Sequence, residues 1–222
     1  YAARGHSKVN WLFIAAHFQT TINQGIKMKK IFHVGHNDKQ RKTHDIINGK
    51  KVARKEYQLW GSMLKRCYCP YWLNENPTYI DCYVDEFFHS YTNFYDWCQD
   101  QVGFDFQHYH IDKDLLSNNG KIYSPETCLF LPRQINIAIK PHAEGVDAPS
   151  APKTKIFHIT ITRHGITKSL GWFKTRKGSY AAYILAKKEY LKELASLYRN
   201  CIDKRAYDAL ISFDIKNPFT MD

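Results

Sequence analysis

One stretch does most to limit the fold. Residues 141–155 read PHAEGVDAPSAPKTK and hold three of the eight prolines, with Ala, Ser and Gly filling much of the rest. Proline removes a backbone donor and restricts its neighbour, so such a run carries no helix or central strand. The chain is therefore expected to fold as two units joined by a basic linker. At 222 residues there is room for two small domains.

The two sides differ in pattern and in charge. From residue 151 onward there are 14 Lys and Arg against 6 Asp and Glu, whereas residues 1–150 hold 18 and 15. The net charge of +11 is a statement about partners. Double-stranded DNA is the polyanion it predicts, because neutralising phosphates releases counterions. No apolar run approaches a membrane-spanning length, so no membrane partner is expected. Trp11–Phe18 is the longest candidate, and no secretory signal is read there. Six scattered cysteines suit a reducing compartment better than a disulfide scaffold.

Along the chain, Met28-Lys29-Lys30 reads as a natural start, so residues 1–27 are expected to be an upstream extension; an ordinary helix around Trp11–Phe18 is the alternative. The following segment to residue 56 is polar and basic, and reads as an extended arm with little core. Tyr57, Trp60, Met63 and Leu64 fall on one helical face within Glu56–Cys67, and Asn93–Cys98 suggests a second short helix. After the linker, Ile156–Thr162 alternates in strand fashion, His164-Gly165 supplies a turn, and Ile166–Phe173 returns. Thr175 caps a helix from Arg176 to about Arg199, with Tyr180, Tyr183, Leu191, Leu194 and Leu197 as its apolar stripe. Lys187, Lys188 and Lys192 are expected to face solvent.

The chemistry-bearing residues come in two sets. The first is His108-Tyr109-His110-Ile111-Asp112-Lys113-Asp114, a turn at Asn118-Asn119-Gly120, then Tyr123-Ser124-Pro125-Glu126-Thr127-Cys128 and Asn136. This set resembles the metal finger of phage HNH (His-Me finger) nucleases, whose box reads YSPENC where this chain has Glu126-Thr127. Gly35-His36-Asn37-Asp38, Trp60 to Tyr68, and Pro77-Thr78-Tyr79 with Cys82 resemble the same family. The second set is Gly145-Val146, Leu170-Gly171 with Phe173 and Thr175, and Ala182-Tyr183 with Ala186. It resembles an AP2-type DNA-binding domain, and the two likenesses together cover about residues 31–214.

The resemblance implies an α+β fold. A ββα-metal finger (residues 28–140, with its basic arm) is joined by the linker at 141–155 to an AP2-like three-stranded sheet plus helix (156–222). It implies a phage homing-type endonuclease that hydrolyses DNA phosphodiester bonds at a long target site in the cytoplasm of the infected bacterial host. Mg²⁺ or another divalent metal would be held by Asp112 and Asn136, a hard-oxygen and amide site. Two registers stay open for the base. In one, His110 is the general base and Asp112 supports it. In the other, Asp112 binds metal and Lys113 stands where the His belongs, with His108 in reserve. Thr127 takes the place of the loop Asn, and Glu126 orients the finger or caps its loop. The DNA contacts expected are Lys153, Lys155, Arg163, Lys168, Trp172, Lys174 and Arg176, while Ala182, Tyr183 and Ala186 pack. The alternative is a DNA-binding regulator or host-directed inhibitor with a degenerate finger. Cys67, Cys69, Cys82, Cys98 and Cys128 lack paired C-x-x-C spacing, so structural Zn²⁺ is not expected. Separate modules supply asymmetric recognition, so a monomer suffices.

Overall fold

The structure, a computed structural model, describes residues 30–117, 120–140, 157–215 and 218–219. In chain order the elements are β1 (His44–Ile47), β2 (Lys50–Ala53), α1 (Lys55–Tyr68), α2 (Pro70–Glu75), β3 (Tyr83–Val84), α3 (Tyr91–Gln99), β4 (Tyr109–Asp112), β5 (Ile122–Tyr123), β6 (Leu129–Pro132) and α4 (Arg133–Ala138). After residue 156 come β7 (Phe157–Arg163), β8 (Ile166–Phe173), α5 (Arg176–Leu197) and α6 (Lys204–Ile211). The class is mixed α+β, with helices of 6 to 22 residues and small two-stranded sheets. The extension at 1–27, the helix considered around Trp11–Phe18 and the linker at 141–155 lie outside the described residues.

The first core is aromatic. Trp60, Met63 and Leu64 of α1 project at three- and four-residue steps, and all three are buried. They meet Phe88 and the Tyr91, Phe94, Trp97 and Cys98 face of α3. The Trp60 indole donates to the Phe88 carbonyl at 2.7 Å, so its polar edge is satisfied inside the core. Ser90 caps α3 by accepting from the Asn93 amide. The buried thiols behave as small apolar groups: burial pushes Cys67 and Cys128 up to about 12, which keeps both protonated.

The second core spans both sides of the 141–156 segment. β4 and β6 pair antiparallel, with His110 opposite Leu131 and Asp112 opposite Leu129, and α4 follows directly. Leu129, Leu131, Ile135 and Ile139 from this β-β-α run pack against Leu191, Leu194 and Ala195 of α5 and Ala206 and Leu210 of α6. Tyr109 donates from its hydroxyl to the Cys201 carbonyl at 3.2 Å across the same junction. A polar seam runs beside it. Gln134 of α4 donates to the Tyr190 hydroxyl at 3.0 Å and accepts from the Tyr198 hydroxyl at 3.0 Å.

A third, smaller core lies under β7 and β8, where Ile159 and Ile161 bury against Tyr183 and Ala186 of α5. The pair carries a bulge beside Ile159, where Gly171 takes φ +117, a conformation that favours glycine. Thr175 caps α5, accepting from the Gly178 amide. Among the described residues this sheet has two strands; the third strand of the AP2 resemblance is not among them.

Three local expectations are corrected. The segment before residue 56 is a β-hairpin, not an extended arm, because Asn48-Gly49 adopts φ values of 50 and 73, a turn that closes β1 onto β2. Leu197 is 62% exposed: the apolar stripe of α5 passes from Leu194 to Tyr198, where the chain turns into α6. Lys187 does not face solvent. It is 5% exposed, and its ammonium donates to the Lys140 carbonyl and to the Tyr183 hydroxyl.

Burial draws the Lys187 pKa down from the ordinary lysine value of 10.5 to about 8. The folded state therefore carries the cost of a buried charge below pH 8, and that cost is relieved as pH rises from 8 to 10.5. Replacing Lys187 by Met is expected to stabilise the protein by about 1–3 kcal/mol at pH 7, with the gain shrinking toward pH 10. Urea unfolding of the two proteins across that range checks it; a loss of stability at pH 7 would show that the two hydrogen bonds outweigh desolvation.

Candidate active site and nucleic-acid interface

Strand β4 and helix α4 bring two of the predicted residues to one place. Asp112 closes β4, and Asn136 lies in the middle of α4; both line a single cleft. Its cavity volume is about 60 Å³, room for a few water-sized groups or a partly hydrated cation. Asp114 lines the same cleft, with Leu115, Ile139 and Phe213 as its apolar wall and Lys140 on the rim.

Asp112 is 5% exposed, and its two hydrogen bonds fall on one oxygen. Oδ1 accepts from the Leu115 amide at 2.9 Å and from the Asp114 amide at 3.1 Å, which caps the turn after β4. Among the described residues Oδ2 has no hydrogen-bond partner, and the Asn136 side-chain amide makes no hydrogen bond. Burial raises the Asp112 pKa to about 6, against the lowering effect of the two backbone amides. A buried carboxylate with one uncommitted oxygen, an amide oxygen and a second carboxylate form a hard-oxygen donor set that suits Mg²⁺. No cluster of three His, Cys, Asp or Glu side chains occurs among the described residues.

His110 stands two residues back along β4, on the same face of the strand as Asp112, about 7 Å away by strand rise. It is exposed and does not line the cleft. Partial desolvation lowers its pKa, and Arg133, Arg66 and His108 lower it further, so the imidazole is neutral near pH 7. Arg66 comes from α1 and sits beside the Tyr123 hydroxyl; Arg133 opens α4, its amide bonded to the His108 carbonyl at 3.0 Å. Two guanidinium groups thus lie near the exposed His110 imidazole. Neither was expected from the sequence, although Arg133 follows Pro132 at a helix start.

Lys113 is 7% exposed and fully occupied. Its ammonium pairs with Asp114, donates to the Gly120 carbonyl at 3.0 Å and lies over the Tyr123 ring. Desolvation opposes its charge, but the hydrogen bond and charge of Asp114 prevail and raise the pKa. Such a group donates protons to fixed acceptors and is unsuited to take one from water. Thr127 donates to the Ile122 carbonyl at 2.9 Å and accepts from the Ser124 amide at 3.1 Å, so it ties the loop to β5. Glu126 is exposed, and its carbonyl accepts from Arg205 at 3.4 Å.

The predicted DNA contacts divide. Lys153 and Lys155 lie outside the described residues. Trp172, Lys174 and Arg176 are exposed, Arg176 with its guanidinium over the Phe157 ring. Arg163 turns inward: it donates to the Ala186 carbonyl at 2.5 Å and pairs with Glu189 at 3.3 Å, so the structure does not bring it to the outer face. Lys168 is exposed, although it pairs with Ile161 and so shares the strand parity of that buried residue.

Because Ile159 and Ile161 point in, the outward row is His158, Thr160 and Thr162, opposite Trp172, Ser169 and Thr167. His158 and Trp172 stack with ring centroids 4.4 Å apart, and the Trp is 58% exposed. This neutral, hydroxyl-rich row was readable from strict alternation, since the residues between two buried isoleucines must face out. Replacing Trp172 by Ala is expected to weaken duplex binding by roughly 5- to 30-fold, with no change in thermal midpoint, because the ring supports no core. Fluorescence anisotropy with labelled duplex, beside a melting curve, measures both.

No family model, no curated protein and no solved structure matches the chain.

Among the described residues no helix is long and apolar enough to cross a membrane.

Proposed function

We propose that this chain is a phage-encoded, metal-dependent DNA endonuclease of HNH type whose AP2-like module holds the target duplex. One observation carries the reading. Asp112 at the end of β4 and Asn136 on α4 face one cleft, with a neutral imidazole on the same strand face. The strand–strand–helix order that places them is the order a metal finger requires, and Mg²⁺ fits the donor set.

Asp112 and Asn136 would hold a divalent cation there, which would supply positive charge to polarise the scissile phosphate and stabilise the leaving oxygen. His110 takes the proton from the attacking water, a task for which its lowered pKa keeps it ready at neutral pH. Arg66 and Arg133 neutralise phosphate charge beside it. Asp112, held by the Leu115 and Asp114 amides, keeps its carboxylate at a fixed angle to the cleft. The hydroxyl row and Trp172 of the β7–β8 face rest on the duplex, and α5 backs them.

A second reading, a DNA-binding protein whose finger only holds the fold, is favoured by the structural work Asp112 and Lys113 already do. Oδ1 caps a turn and the lysine is buried in its own bonds. Incubation with supercoiled DNA separates the two. The expected result is nicking that needs Mg²⁺, stops with chelator and falls at least about tenfold in Asn136→Ala. Duplex binding without cleavage under any divalent metal would overturn the nuclease in favour of the second reading.

A further inference from the structure

The β1–β2 hairpin stands away from every core. Its base is fixed: Arg54 donates its amide to the Thr43 carbonyl at 2.9 Å, and Tyr91 of α3 donates to the Lys42 carbonyl at 3.0 Å. His44 packs on Tyr57 with ring centroids 5.5 Å apart, and Arg54 pairs with Asp45 at 3.6 Å. Beyond that base the four-residue strands project with both faces in solvent. Ile46 is 71% exposed, Ile47 54% and Val52 40%. A two-stranded ribbon that buries neither face is marginal on its own, and apolar residues kept outside in this number mark a contact surface.

The register shows what kind. Ile46 lies opposite Lys51 and Ile47 opposite Lys50, so each face carries one isoleucine and one lysine. Lys39 and Lys42 precede the base, and all four lysines make no ion pair among the described residues, whereas the nearby Arg41 is spent on Asp96. A membrane surface asks for one apolar face, and here the apolar groups are split between two. A second copy of this chain would oppose lysine to lysine on a molecule of net charge +11. A partner that encloses the ribbon and meets cations on both sides fits. The major groove of duplex DNA, about 12 Å wide, admits a two-stranded ribbon, with phosphates on both walls and thymine methyls on the floor.

We propose that the β1–β2 hairpin is a second DNA-contacting element, which enters the major groove with Lys50 and Lys51 on the walls and Ile46 and Ile47 against base edges. It rests on the reading of the chain as a duplex-binding protein, but not on cleavage. It places a groove contact on the finger side of the protein, separate from the β7–β8 face, which lengthens the site read.

The test measures duplex affinity of the full chain in chelator over a range of salt, for the wild type and for the Lys50→Gln/Lys51→Gln double variant. Two lost phosphate contacts are expected to reduce the slope of log affinity against log salt by about 1.8, and affinity by at least about tenfold at physiological salt. Ile46→Ser/Ile47→Ser is expected to leave the slope unchanged and to flatten preference among duplexes that differ in thymine content. Wild-type slope and affinity in the double lysine variant would overturn the hairpin contact while leaving duplex binding by the chain intact. Absence of duplex binding by the wild type would overturn both readings. Lysine-dependent binding to phosphatidylserine vesicles, or a dimer lost on the same substitutions, with DNA affinity unchanged, would assign the hairpin to those partners instead.

Discussion

His110→Ala is expected to lower Mg²⁺-dependent nicking by roughly 10²- to 10⁴-fold while duplex affinity stays within about twofold. The ring is exposed, belongs to no core and forms no hydrogen bond among the described residues, so its removal leaves β4 paired with β6. What is lost is the imidazole beside Arg66 and Arg133. Lys113 does not replace it, because its ammonium is tied to Asp114 and Gly120 and held protonated. His108 lies at φ +67 in the turn two residues earlier, outside β4. Single-turnover nicking with the variant decides the register. Unchanged activity in His110→Ala would move the base elsewhere, and a matching loss of DNA affinity would make the imidazole a binding group.

Leu194→Ala is expected to destabilise the whole protein by about 2–5 kcal/mol, in one transition. Leu194 is fully buried in the cluster that joins α5 and α6 to Leu129, Leu131, Ile135 and Ile139 of the β-β-α run. A cavity there weakens the seat of α4, and with it Asn136, as well as the support under the β7–β8 face. Unfolding followed by near-ultraviolet circular dichroism and by Trp fluorescence should shift together. Two separated transitions would mean that the two sides of the 141–156 segment unfold independently despite their shared core. The same variant is expected to lose nicking at temperatures where the wild type is active, through the geometry of α4.

Local elements were legible wherever a segment's own pattern decides its form. Thr175 as the cap of α5, the strands at 157–163 and 166–173, the His164-Gly165 turn and the apolar face of α1 all follow from spacing. So does the nearness of Asp112 to the turn it caps. The hairpin at 44–53 was missed because its strands bury nothing, so they lack the alternation that marks a strand; Asn48-Gly49 was the available signal. Lys187 was misplaced because charge was taken as the guide, whereas its position between Tyr183 and Leu191 puts it on the buried stripe of α5.

The sequence by itself determined the local forms of α1, α3, α5 and the β7–β8 pair, and which residue types carry acid, base and cation. These depend on neighbours within one turn or one strand. Only the tertiary structure decided the groupings. It set Asn136 across a cleft from Asp112, placed Arg66 of α1 beside His110, turned Arg163 onto α5 and joined the β-β-α run to a helix more than fifty residues further on. Such contacts come from burying apolar faces against each other, and one chain pattern states which face is apolar without naming the face it will meet.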